Sequence, residues 1–153
     1  MIAPFYRSYQ NNTQPVDITV IGSGGKTTFI KSLLGNRLEG VRILHLNDRK
    51  ISLRVSAKPY LTPHGDRIGL VVCKVTRLAT LILVDELVEQ LEKNNITKIF
   101  LLATHCDEDR VIMPDSLSFK AKMLNLEGVV EVNSLDKEDT LSAVKQLIAD
   151  VLV

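Results

Sequence analysis

Tryptophan is absent from this 153-residue chain, cysteine occurs twice, and aromatic residues make up only 5% of it. Cys73 in an apolar run and Cys106 in a polar stretch exclude the disulfide framework of a small secreted fold, and their spacing matches no metal or redox pair. This usage suits a reducing interior. Charge of one sign is equally scarce. The 19 basic and 18 acidic residues are mixed along the chain, with no basic block and little aromatic and basic interleaving, so the electrostatic footprint of a nucleic-acid binder is missing. No apolar run is long enough to span a bilayer, and the polar stretch Met1–Pro15 lacks the apolar segment of a signal peptide. There is no N-terminal glycine for myristoylation and no C-terminal cysteine box for prenylation. The expectation is a soluble chain, cytoplasmic or otherwise intracellular, with no membrane anchor and no nucleic-acid partner.

What is present starts with glycine. The segment Asp17-Ile-Thr-Val-Ile-Gly-Ser-Gly-Gly-Lys-Thr-Thr28 runs an apolar strand into a glycine-rich turn and then into an amphipathic helix. That is the build of a phosphate-binding loop. Gly22, Gly24 and Gly25 let backbone N–H groups approach an oxyanion, with Ser23 between them, and the helix presents its positive N-terminus through Lys26, Thr27 and Thr28. Lys26 has the reach for terminal phosphates, and the Thr27 hydroxyl is a magnesium ligand by type. In the usual G-x-x-x-x-G-K-[ST] the first glycine precedes the lysine by six positions, and here Gly22 precedes Lys26 by four, so the loop is two residues short. Fewer N–H groups remain to wrap a β-phosphate. A plain strand-to-helix turn would use the same glycines.

The chain is long enough for one buried core and too short for two ordinary domains. We read residues 1–15 as a flexible arm and 16–153 as a single domain. Strands are expected at Val16–Ile21, Val41–Leu46, Ile51–Val55, Arg67–Val75, Lys98–Ala103 and Val129–Val132. Helices are expected at Lys26–Leu34, from Arg77 to Asn94, from Pro114 to about Leu126 with Gly128 ending it, and at Asp139–Leu152. Asn47-Asp-Arg-Lys50 has the chemistry of a hairpin turn, and Ser56–Asp66 reads as loop. The alternation predicts a three-layer α/β fold. Its sheet would be six-stranded and mostly parallel, with one antiparallel edge strand and helices on both faces.

Ligands of such sheets bind at the C-terminal ends of the strands, which brings three polar loops together: Gly22–Thr28, Thr104–Asp107 and Asn133–Asp136. In order and content these loops resemble those of the Ras-like small GTPases. Thr104-His-Cys-Asp107 stands where that family has [NT]-K-x-D, and Glu131-Val-Asn-Ser-Leu135 is similar to its E-x-S-A-[KL] element. The resemblance implies that Asp107 accepts hydrogen bonds from a guanine base, that His105 stands in for a lysine whose stem covers the base, and that backbone amides at Ser134 and Leu135 meet the guanine carbonyl. It also implies GTP or GDP with Mg2+ as the ligand. An exposed loop carboxylate beside Glu108 and Asp109 is the alternative for Asp107.

Two parts of that family's machinery are missing. No threonine lies between Thr28 and Thr62, and only Asn36–Gly40 separates the first helix from the second strand, so the first switch has no room. The D-x-x-G-Q element falls on Ser56-Ala-Lys-Pro-Tyr60, where Ser56 lacks the carboxylate and Pro59 lacks the N–H that would bond a γ-phosphate. Asp66-Arg-Ile-Gly69 matches D-x-x-G by letters but begins the next apolar strand. The resemblance therefore implies a degenerate small GTPase, or pseudo-GTPase, that acts as a protein-interaction module with a vestigial nucleotide pocket and little or no hydrolysis. Phe5, Tyr6 and Tyr9 in the arm suit docking on a protein partner, and docking on their own domain equally. The alternatives are a slow GTP-binding protein completed by a partner and, in another class, a P-loop kinase or ATPase using Arg67, Arg77 or Arg110. His45 and His64 form no ligand cluster.

Overall fold

The computed structural model describes residues 13–59 and 65–152. The arm aromatics Phe5, Tyr6 and Tyr9, together with Tyr60 and His64, lie outside the described residues. Six strands are described: β1 (Thr13–Ile21), β2 (Gly40–Leu46), β3 (Arg49–Ser56), β4 (Asp66–Lys74), β5 (Lys98–Thr104) and β6 (Gly128–Glu131). The helices are α1 (Lys26–Leu34), α2 (Leu78–Ile82), α3 (Val84–Lys93), α4 (Pro114–Met123) and α5 (Lys137–Leu152).

The strands form one sheet in the order β2-β3-β1-β4-β5-β6. Only the hairpin pair β2 and β3 is antiparallel; the other four pairings are parallel. Asn47 takes the left-handed conformation at the hairpin turn, a placement asparagine tolerates. β1 begins at Thr13, earlier than the expected Val16, because Thr13 to Pro15 pair with Lys50 to Ser52 of β3. The pleat then divides β1 between two cores. Val16, Ile18 and Val20 pack with Phe29 and Leu33 of α1 and with Val144, Leu147 and Ile148 of α5. Ile21 joins Val84, Val88 and Leu91 of α3 and Leu117 and Ala121 of α4 on the other face. Asp17, only 1% exposed, sits on that second face and receives a two-pronged bond from Arg54, with N···O distances of 2.7 and 2.8 Å. The α/β architecture with helices on both faces is as expected.

The expected single helix from Arg77 to Asn94 is instead α2 and α3, interrupted at Leu83, whose ψ of −8° opens the turn. Thr80 explains where α2 sits: its hydroxyl accepts from the Lys74 amide (3.0 Å) and donates to the Arg77 carbonyl (2.8 Å), tying the first turn to the end of β4. The end of α4 also differs. Asn125, with φ of 55°, makes the left-handed cap and Leu126 N–H bonds Ala121 O, while Gly128 is already the first residue of β6. α5 starts at Lys137, two residues before the expected Asp139, because the Asp136 carboxylate accepts from the amides of Glu138 and Asp139. No helix among the described residues is long and apolar enough to cross a membrane.

Parallel connectivity sends the loops after β1, β4, β5 and β6 to one edge of the sheet. Asp66 pairs with Val16, near the start of β1, so Asp66-Arg-Ile-Gly69 lies at the opposite edge and cannot serve as a switch beside the glycine turn. Gly69 has a packing role instead. A side chain there would place its Cβ 2.6 Å from Leu91 Cδ1 and 3.1 Å from Ile96 Cγ2, both in fully buried residues. Gly69→Val is expected to destabilise the domain by about 1–3 kcal/mol through overpacking, against valine's better strand propensity. Urea unfolding checks this, and an unchanged or raised midpoint would show that α3 can move off the sheet.

Candidate functional site

The glycine turn crosses the ends of two strands. A Cβ on Gly24 would lie 2.7 Å from Lys74 Cβ, and one on Gly25 would lie 3.0 to 3.1 Å from the Thr104 side chain. Both residues have φ near +100° (96° and 119°), so this path excludes L side chains by conformation as well as by contact. Gly25 hands the chain to α1, whose first turn carries no acidic residue and no side-chain cap. The amides of Lys26, Thr27 and Thr28 are therefore the orphan donors of a helix N-terminus.

Thr104, fully buried at the end of β5, donates its hydroxyl proton to the Gly24 carbonyl at 2.5 Å. That proton being committed, the 3.0 Å contact between Thr104 Oγ1 and His105 Nδ1 requires Nδ1 to carry the hydrogen. His105 adopts a left-handed backbone (φ 63°), and its Nε2 lies 3.7 Å from the Glu108 carboxylate. The ring is thus fixed through Nδ1, and Thr104 works beneath the glycine turn rather than toward a base. Farther along, Arg110 binds Glu131 through both terminal nitrogens (2.9 and 3.2 Å) and the Ile112 carbonyl through Nε, clamping the loop to the end of β6.

In the third loop the Asn133 side chain accepts from the Leu135 amide at 3.2 Å, and the Asp139 carboxylate accepts from the Asn133 amide at 2.8 Å. The Leu135 N–H is therefore already engaged. Ser134 is not: its Oγ is buried without a hydrogen-bond partner among the described residues, in a side chain only 8% exposed. A buried hydroxyl without a partner costs about 1–3 kcal/mol.

These loops enclose a cavity of about 240 Å³ lined by Gly25, Thr28, Lys74, His105, Asp107, Glu108, Asn133, Ser134 and Leu135. Of the residues expected from the sequence, Gly25, Thr28, His105, Asp107, Ser134 and Leu135 converge there. Gly22, Ser23, Gly24, Lys26, Thr27 and Thr104 do not line it. Lys74, Glu108 and Asn133 were not expected. Lys74 carried one weak signal, a lysine closing a strand that is otherwise apolar from Ile68 to Cys73.

The described residues flanking β2 and β3 leave little room for further loops. Only residues 35–39 link α1 to β2. The Ser56 hydroxyl donates to the Lys58 carbonyl and accepts from the Lys58 amide, so it is turned into its own loop. A magnesium ion fits poorly, since the donor set is the exposed Thr27 hydroxyl alone and no group of three His, Cys, Asp or Glu among the described residues is placed to hold a metal. Burial, reinforced by the Glu131 carboxylate against the opposing Arg110 charge, pushes the Cys106 thiol up to about 11. It is therefore a protonated, poorly nucleophilic neighbour of the cavity at neutral pH.

No family model matches the chain, and no curated protein matches it.

Replacing Thr104 by valine keeps the volume but removes the hydroxyl shared by Gly24 and His105. A loss of about 1–3 kcal/mol is expected, read by urea unfolding, with faster amide exchange from Gly25 to Thr28. Wild-type stability and exchange would mean that packing alone holds the turn.

Proposed function

We propose that this chain is a degenerate small-GTPase-like domain, a protein-interaction module that keeps a residual guanine-nucleotide pocket and has little or no hydrolytic activity. The observation that carries the reading is the convergence of Thr28, Asp107 and the unpartnered Ser134 hydroxyl on one cavity at the C-terminal edge of a mostly parallel sheet. The orphan amides of α1 favour an anion at one end. Asp107 supplies a two-oxygen acceptor for paired N–H donors at the other, a pattern guanine offers and adenine does not.

Weak hydrolysis follows from what surrounds the turn. Phosphoryl transfer depends on groups that position water and stabilise charge at the γ-phosphate. Ser56 is committed to Lys58, and Arg110 to Glu131 and Ile112. Arg67 donates to Asn94 O and starts in β4 at the far edge of the sheet. A kinase or ATPase reading loses two of its three candidate cations, Arg67 and Arg110. With no loop among the described residues to sense the γ-phosphate, GTP and GDP bind alike and shift no equilibrium between states. The interaction role is supported by the apolar groove of about 560 Å³ between α2 and α4, lined by Leu81, Ile82, Phe119 and Met123. Ile82, Phe119 and Met123 are each at least 65% exposed, an arrangement that marks contact surfaces.

A second reading, a slow GTP-binding protein completed by a partner, is favoured by the position of Thr27, exposed outside the cavity where a second molecule could supply the missing contacts. Partner binding that depends on GTP would select it.

Calorimetric titration of nucleotide-stripped protein is expected to give GTP and GDP affinities within about threefold of each other, tighter than about 10 μM (roughly −7 kcal/mol), with ATP much weaker. Asp107→Ala should cost at least about tenfold for the guanine nucleotides, the loss of a charge-assisted pair of bonds. Equal binding of ATP, or an Asp107→Ala variant as tight as the parent, would sink the guanine reading. A hundredfold preference for GTP over GDP would instead restore a working switch.

A further inference from the structure

Resting on the guanine-nucleotide reading above, the geometry points to Lys74, not Lys26, as the phosphate-binding cation, and to a nucleoside monophosphate as the ligand that fits the pocket. Lys26 opens α1 but does not line the cavity, whereas Lys74 lines it together with Gly25 and Thr28. The shortened loop is the reason. With two residues fewer, Gly24 is drawn down until its Cα lies on the Lys74 stem, where an added Cβ would meet Lys74 Cβ, Cγ and Cδ at 2.7 to 3.4 Å. The stem is fixed by that contact, and the ammonium of Lys74 has no hydrogen bond or ion pair among the described residues, although Asp107 and Glu108 line the same cavity.

The cavity presents both signs of charge, with Lys74 and the orphan amide of Thr28 coming from the end of β4 and the start of α1, and Asp107 and the buried Ser134 hydroxyl from the loops after β5 and β6. A ligand with an anionic group at one end and paired N–H donors at the other matches this order. The volume decides how many phosphates fit. About 240 Å³ lies below the roughly 300–1,000 Å³ of pockets that bury a drug-sized ligand, so the space favours the smallest guanine nucleotide, the one with a single phosphate. Further phosphates would extend past Thr28 into solvent, beyond the loop that in a full-length version would wrap them.

The test is titration of the intact chain with GMP, GDP, GTP and AMP, repeated with Lys74→Met, Lys74→Arg and Lys26→Met. Methionine keeps the stem that Gly24 packs on, and thermal midpoints near that of the parent confirm folding. GMP should bind within about threefold of GDP and GTP and at least tenfold tighter than AMP. Lys74→Met should weaken GMP at least tenfold, Lys74→Arg should recover most of it, and Lys26→Met should change it less than threefold. If GTP binds more than thirtyfold tighter than GMP and the loss falls on Lys26→Met, this inference is overturned while the guanine reading stands. If none of the guanine nucleotides binds, both fail.

Discussion

The site depends on a steric constraint: the turn after β1 must cross the ends of β4 and β5 with no room for a side chain at Gly24 or Gly25. Positive φ at both residues, and side chains of Lys74 and Thr104 that an added Cβ would meet at 2.7 to 3.1 Å, leave one path for the backbone. The rest of the site hangs from that path. Thr104 can reach the Gly24 carbonyl because the turn lies on it, His105 is oriented by the same hydroxyl, and α1 starts where Gly25 releases the chain. The turn lies low on the sheet, close against the stem of Lys74.

The sheet supplies the second level of order. Four parallel pairings put the loops after β1, β5 and β6 at one edge, and buried side chains on both faces hold the strands in register. Two polar devices then stiffen the loops themselves. Arg110 ties the β5 loop to Glu131, and Asn133, Asp136 and Asp139 satisfy the backbone between β6 and α5. Charge-assisted, two-pronged bonds of this kind are about twice as strong as neutral ones. Against that background, where loop polar groups are matched, the unpartnered hydroxyl of Ser134 stands out.

Much of the molecule was legible in the order of residues because its signals are local. Apolar runs between glycine and asparagine punctuation marked the strands, and Asn47 marked the hairpin. The misplacements have local causes of another kind. α2 and α3 read as one helix because Leu78, Leu81, Leu87, Val88 and Leu91 keep helical spacing, while the break at Leu83 follows from the hold of Thr80 on the end of β4. Gly128 looked like a helix stop, yet Asn125 took the left-handed position that asparagine also tolerates. Thr104 matched a nucleotide-contacting position by motif, but its burial gives it a structural bond to the loop.

By itself, the sequence determined the alternation of strand and helix, the glycine turn between the first strand and the first helix, and which three loops meet, since these follow from periodicity and spacing along the chain. Tertiary structure decided which side chains face the cavity. Lys74 ends an apolar strand and belongs to no motif, and it joins the site because β4 ends beside Thr104 under the glycine turn. Lys26 belongs to the motif and lies outside the cavity. The physical reason is that a side chain's partners are set by neighbouring strands far away in sequence, where spacing along one segment carries no information.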